Sequence, residues 1–226
     1  MPVEATHLTT DGSTADATSY NTASISPSPN KLVLMAVCST GAINVCSATG
    51  AGMTWTVVRQ KQDTINASRQ ITLFRALSGS PSSGAVTIDF AGETQGRCAW
   101  TIVEFGNVDF GGTNGANAVV QSADTYNVDD SPFSVTLAAF SDPNNATFGA
   151  FAPMANNVTV ITSGTGFTEL GEYNPGTELV AIQSQWKNSN DTSVDWTFTS
   201  NTDVHLGVAA EIKFLSGGGA FLLNFV

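Results

Sequence analysis

One pattern governs what this chain can fold into. Short runs that alternate apolar and polar residues, cut by turn-forming clusters, occur as one set and then occur again. The first set covers Lys31–Cys38, Met53–Arg59, Gln70–Leu77, Ala85–Phe90 and Ala99–Phe105. Period two is the signature of a strand with one buried face, and no long helical period competes with it. The clusters between the runs, SPSPN, ATGAG, SGSPSSG and AGETQG, are rich in the residues that build turns. After a Gly/Asn-rich stretch, GNVDFGGTNGANA, the second set covers Ala146–Phe151, Phe167–Glu172, Glu178–Lys187, Val194–Thr199 and Leu206–Phe214.

The two sets match. PNKLVLMAVCS from Pro29 resembles PNNATFGAFAP from Pro143, and Gly52-Met53-Thr54 resembles Gly166-Phe167-Thr168. Val86, Ile88 and Phe90 fall on Val194, Trp196 and Phe198 at a constant offset of 108, and Glu104 falls on Glu211 at 107. The offset drifts as loop lengths change, which implies a duplicated unit of roughly 105 to 115 residues, the size at which small domains cluster. Strands this short need a second sheet to cover their apolar face. The expected fold is therefore all-β, an antiparallel, jelly-roll-like β-sandwich with internal duplication. Its expected organisation is an N-terminal arm (1–22), a first sandwich repeat (23–108), a connector (109–122), a second repeat (123–215) and a Gly-tethered apolar tail (216–226). Two tandem sandwiches and one interleaved sandwich both satisfy the pattern.

Composition narrows the function classes. Of 226 residues, 8 are Lys or Arg and 19 are Asp or Glu, for a net charge of -11. Eight cations can hardly form the basic patch that nucleic-acid binding requires. No run of 18 apolar residues offers a membrane span. The stretch MPVEATHLTT lacks the basic and apolar regions of a secretory signal. The expectation is a protein made in the cytoplasm that needs no disulfides. Its three cysteines, Cys38, Cys46 and Cys98, read as buried thiols; a Cys38–Cys46 bridge is possible but does not follow from the spacing.

Residues able to carry chemistry are sparse. His7 and His205 have no Cys or second His at ligand spacing, and no GxSxG nucleophile turn occurs. Glu104 and Glu211 are a tempting glycosidase pair, but Glu211 alternates with Ala209 and Lys213, opposite Val208, Ala210, Ile212 and Phe214. That parity places both glutamates on a solvent face. Asp124, Asp129, Asp130, Asp191 and Asp195 lie in loops that could hold calcium, although turn capping explains them equally well. By parity Trp55, Trp186 and Trp196 point inward and Trp100 outward, so Trp100, with Tyr126 or Tyr173, is the candidate sugar-stacking surface. No catalytic, cofactor-binding or metal-binding residue is assigned, and no cofactor is expected.

The segment SGGGAFLLNFV stands apart. Apolar side chains in water cost about 25 cal/mol per Å². Phe221, Leu222, Leu223, Phe225 and Val226 therefore call for a cover, supplied by their own sandwich or, as the glycine tether favours, by a neighbouring subunit. They are the candidate partner-binding residues.

The order KLVLMAV, TWTVV, ITLFRAL with SGAVTIDF, then WTIVEFGNVD, followed by a degenerate second pass ending in VAAEIKF, resembles the duplicated β-sandwich proteins of tailed-phage virions and related bacterial surface proteins. The resemblance spans roughly residues 20 to 214. It implies a non-enzymatic virion component, such as a head decoration (cement) protein or a tail or fibre module. The partners would be other copies of itself and a major capsid or other virion protein, and no functional residue carries over. The alternative is a carbohydrate-binding or adhesive module on a tail fibre or cell surface. A strand-exchanging filament subunit is a third.

Overall fold

Three strands in each half are buried at most positions rather than at alternate ones, and their place in the fold explains why. The computed structural model describes residues 1–41, 46–64, 68–128, 131–155, 158, 160–176, 180–199 and 204–216. The first half supplies β1 (Glu4–Ser13), β2 (Ser19–Asn21), β3 (Leu32–Thr40), β4 (Ser47–Gly50), β5 (Met53–Thr54), β6 (Thr56–Gln62), β7 (Arg69–Ala76), β8 (Val86–Asp89) and β9 (Arg97–Gly106). A short helical turn, Thr113–Ala118, leads to the second half. This half supplies β10 (Val119–Val128), β11 (Phe133–Thr136), β12 (Ala146–Met154), β13 (Val160–Ser163), β14 (Thr168–Tyr173), β15 (Ile182–Lys187), β16 (Ser193–Thr199) and β17 (Val204–Ile212).

Each half makes one five-stranded and one smaller antiparallel sheet. The orders are β1-β9-β3-β7-β6 with β2-β8-β4-β5, and β10-β17-β12-β15-β14 with β11-β16-β13. Apart from β5, which has no counterpart, the second half repeats the first strand for strand. The pairs β1·β9 and β3·β7 lie in one sheet and β2·β8 and β4·β5 in the other. Such alternation of nested pairs is a two-layer jelly roll. At Trp55 the chain leaves the small sheet as β5 and enters the large one as β6.

The halves pack back to back, so the molecule has four layers and three cores. The two five-stranded sheets face each other through Leu32, Leu34, Ala36, Val103 and Phe105 on one side and Phe148, Ala150, Leu206, Val208 and Ala210 on the other. The opposite face of the first inner sheet (Val33, Met35, Phe74, Trp100, Ile102) packs on Tyr20, Val86, Ile88 and Phe90. In the second half Phe151 and Ala209 pack on Phe133, Val135, Val194 and Trp196. Residues of β3, β12 and β17 are therefore buried on both faces along their whole length.

Polar pairs fix how the halves sit on each other. Thr101 and Ser184 join their hydroxyls across the central core at 2.8 Å, and the Cys38 thiol donates to the Ala181 carbonyl at 3.5 Å. At the opposite margin Asp124 of β10 pairs with Arg59 and with Lys61 of β6, the latter at 3.0 Å. All four edge strands of the inner sheets carry a register shift: β1 between His7 and Thr9, β6 between Val57 and Arg59, β10 between Val119 and Gln121, and β14 between Glu169 and Gly171. Bulged edges discourage pairing with another chain's strand, which tells against growth of a filament by edge addition.

Several expectations need correction. Residues 1–22 are not an arm: β1 pairs along β9 from Glu4↔Gly106 to Ser13↔Cys98, and β2 pairs with β8. As a half-exposed edge, β1 carries no apolar alternation to reveal it. The second repeat begins at Val119, inside the stretch read as the connector 109–122. Val57, which alternation puts on the inward face with Met53 and Trp55, is instead exposed, beside the register shift between Val57 and Arg59. The reading of the three cysteines as buried thiols holds: Cys38, Cys46 and Cys98 are all free and buried, with no Cys38–Cys46 bridge.

Two glycines of the second inner sheet are set by proximity rather than by backbone angle. A Cβ on Gly207 would lie 2.4 Å from Phe133 Cε1, and one on Gly149 2.5 Å from Val194 Cγ1. Their absent side chains let the outer sheet settle onto the inner one. Gly207→Ala is expected to cost about 1–3 kcal/mol through overpacking, read as a fall in denaturation midpoint at unchanged m-value. A neutral result would mean that the two layers are not in close contact there.

Candidate functional site

The chain gathers its unusual surface at one end of the stack. The antiparallel registers Glu4↔Gly106 and Val119↔Ile212 place residue 4, the end of β9, the start of β10 and the end of β17 together. From there the connector and the segment after β17 run as a small ladder. Val108 bridges Phe214, the Asp109 N–H donates to the Lys213 carbonyl at 3.0 Å, and the Leu215 N–H donates to the Asn107 carbonyl at 2.8 Å. On its other side the Lys213 N–H donates to Ala118 at 2.8 Å and the Phe214 N–H to Asn145 Oδ1 at 3.1 Å. Lys213 Nζ closes the ladder on Asp109 at 2.8 Å, which holds the Asp109 carboxyl below its ordinary value.

Two open cavities flank this ladder. One, about 340 Å³, is lined by Met1, Pro2, Asn144 and Phe214. The other, about 560 Å³, is lined by Ala116, Asn117, Val119, Val120, Ser141 and Lys213. Exposed apolar side chains cluster beside them: Met1, Phe110, Val120 and Leu215 are 89%, 53%, 41% and 40% exposed. Among the described residues the lining offers one cationic side chain, already paired, and no convergent acid, base or nucleophile; it suits an apolar peptide better than a small charged ligand.

At the same end each jelly roll is closed by a buried glutamate. The Ser28 N–H donates to Glu104 at 2.8 Å, the Ser28 hydroxyl at 3.0 Å and Lys31 Nζ at 2.8 Å. Glu211 accepts from the Ser141 N–H (3.0 Å) and hydroxyl (2.9 Å), from Gln121 Nε2 (2.7 Å) and from Asn145 Nδ2. In both halves the serine lies in the loop before the third strand, so the carboxylate ties that loop over the mouth of the sandwich. Lys31 and Asn145 are equivalent by the PNK/PNN match: one half neutralises its glutamate with a cation, the other with amides.

These glutamates correct the solvent-face expectation, since Glu104 is 4% and Glu211 0% exposed. Nor are they a catalytic pair, because each is held in a separate half. The parity was right, but the face opposite the central core is the interior of each sandwich. Trp100, expected outward, is buried for the same reason. Tyr126 and Tyr173 are half-buried against the central core, so the three aromatics form no sugar-stacking platform.

The remaining candidates are also accounted for. His7 Nε2 meets Thr10 Oγ1 at 2.9 Å, and Thr10 donates to Thr101 at 2.8 Å, a hydroxyl relay leading into the central core toward Ser184. Burial holds the His7 pKa below its ordinary 6.5 against a smaller upward pull from the Thr9 backbone. His205 is buried with its ring edge-on to Phe198, 4.4 Å between centroids. Asp124 is held by Arg59 and Lys61, and Asp191 accepts from Lys187 at 2.8 Å. Asp195 is raised by burial and by Asp191. Among the described residues no three His, Cys, Asp or Glu side chains converge as a metal site would require. Asp129, Asp130 and the candidate partner-binding residues Phe221, Leu222, Leu223, Phe225 and Val226 lie outside the described residues. Sequence reasoning did not single out Phe110, Val120, Leu215 or the serine–glutamate clasps. The recurrence of Glu104 at Glu211, each with a PN loop ahead of its third strand, was the available signal for the clasps.

No protein-family profile, curated protein or solved structure matches this chain.

Two measurements check this account. Burial pushes the Glu104 carboxyl up, but the bonds from Lys31 and Ser28 and the Lys31 charge outweigh it and hold the pKa below 4.5. A depressed folded pKa contributes stability that is complete above the unfolded value and is lost as pH falls through the folded one. Thermal midpoints should therefore fall as pH drops below 4.5, and Glu104→Gln should flatten that acid limb. Burial also pushes the Cys38 and Cys46 thiols up to about 12. In the native protein a thiol reagent should label no cysteine within minutes, and all three after denaturation; native labelling would mean that the cores open.

Proposed function

We propose that this protein is a non-enzymatic structural component of a virus (phage) particle, a capsid decoration or cement protein that stabilises the shell through subunit–subunit contacts. The observation that carries the proposal is the convergence, at one end of a rigid four-layer stack, of two open cavities, four exposed large apolar residues and the root of the apolar tail. An end-on contact surface of this kind suits a subunit that stands on a larger assembly. Its partners would be other copies of itself and a major capsid or other virion protein, with the tail residues Phe221, Leu222, Leu223, Phe225 and Val226 contributing apolar anchors.

Two further features support this reading. Charged residues are only 12% of the chain, so few charges need to be desolvated where its surface packs against another subunit. The bulged edges leave the end face, rather than the sheet margins, as the place for association. Jelly rolls serve in both viral shells and lectins, so the architecture alone does not choose between them. The lectin-like alternative has lost its aromatic platform to the core.

Electron microscopy of native particles carrying the protein locates it directly, and its absence from particles would overturn the proposal. Deleting residues 217–226 should leave the sandwiches folded and weaken particle binding by at least about tenfold, roughly 1.4 kcal/mol. Undiminished binding would remove the tail from the contact.

A further inference from the structure

We infer that in the free subunit the apolar segment 220–226 is held in cis against the end face formed by Met1, Phe110, Val120 and Leu215, and that a partner gains the segment only by displacing it. The inference deepens the proposed function, resting on the same assignment of the tail as a contact element.

The receiving surface is already apolar and already adjacent. Seven large apolar residues stand well exposed among the described residues, and four of them, Met1, Phe110, Val120 and Leu215, share this end. The cavities of about 340 and 560 Å³ lie on either side of Lys213–Phe214, within three residues of Ser216, where the described chain ends. The segment AFLLNFV has no charged side chain to desolvate. Lys213, the one cationic side chain among the described lining residues, is already paired with Asp109.

Length fits as well. An extended chain spans at most about 3.3–3.6 Å per residue, so Ser216–Gly219 reaches roughly 13 Å and Ala220–Val226 roughly 23 Å. Stacked sheets lie about 10 Å apart, so the ends of four layers present a face on the order of 30 Å across. The tether is long enough to reverse direction, and the segment is short enough to lie wholly within the face.

The mode of docking follows from the ladder. The N–H groups of Lys213, Phe214 and Leu215 are already bonded to Ala118, Asn145 and Asn107. The segment therefore cannot join as one more strand beside them, and it attaches by side chains.

Magnitudes choose the occupant. A short flexible tether presents its own segment at an effective concentration on the order of millimolar. A second copy at micromolar concentration is about a thousandfold less available. The segment therefore covers its own subunit in dilute solution. Where subunits are fixed side by side on a shell, a neighbour's face is present at comparable local concentration, and exchange becomes competitive. The same face then serves as latch in the free state and as contact in the assembly.

Hydrogen exchange of the isolated protein tests this, with no particle present, so the result stands apart from the virion assignment. The full chain is compared with the 217–226 deletion and with a Phe221→Asp/Leu223→Asp variant of full length, each at about 1 and about 100 μM. Peptides covering 107–120 and 213–216 should exchange several-fold more slowly in the full chain than in either variant, equally at both concentrations, with a monomeric sedimentation coefficient. Phe110→Asp with Val120→Asp on the receiving face should abolish the difference and raise binding of a hydrophobic dye. Equal exchange in all forms would overturn the inference. Protection that grows with concentration alongside a dimer would overturn it too, by making a second copy the occupant.

Discussion

Burial of both faces of the two inner sheets is the constraint on which the rest of this structure depends. A jelly roll standing alone needs one apolar face per sheet; here each five-stranded sheet has two, and the second can be satisfied only by the other half of the chain. That requirement explains the unbroken apolar runs of β3 and β12 and the small residues Ala36, Ala150 and Ala210 where the sheets meet. It also explains why polar groups in the central core come as matched pairs. Thr101 and Ser184 hydrogen-bond to each other across it. Apolar surface alone is non-directional, whereas a buried hydroxyl pair is costly to break, so such pairs give a large greasy interface one preferred alignment.

The same constraint organises the ends. Once the sheet faces are covered and the inner-sheet edges are bulged, the open mouths of the sandwiches remain. The loops before β3 and β12 close them through Glu104 and Glu211, and duplication has left the two clasps similar in geometry but different in charge. Lys31 balances Glu104, while Asn145 and Gln121 hold Glu211 with amide donors. The connector and residues 213–215 complete this end, so the surface most suited to association is built where the halves are joined. Placing contact elements there leaves the cores untouched by whatever binds.

Much of this was legible in the residues. Nine of the ten strands expected from alternation are present and the tenth, Met53–Arg59, is split between β5 and β6, while the offset between Val86 and Val194 corresponds to the observed equivalence of β8 and β16. The missed strands were those whose sequence carries no period: β1 and β10, edge strands with half-buried polar residues, and the short outer strands β2, β4, β11 and β13. The end face was less legible. The apolar tail was visible, but Phe110, Val120 and Leu215 are scattered singly along the sequence and meet only because β9, β10 and β17 end at the same level.

The sequence by itself determined the alternation of side chains along each strand, because that follows from local backbone geometry. It therefore placed Glu211 opposite Val208 and Ile212, and Trp100 on the face of Ile102. What lies over each face was decided only by tertiary structure. Whether the face opposite a core is wet depends on residues about a hundred positions away folding and stacking in a particular orientation, and no pattern within a strand records that.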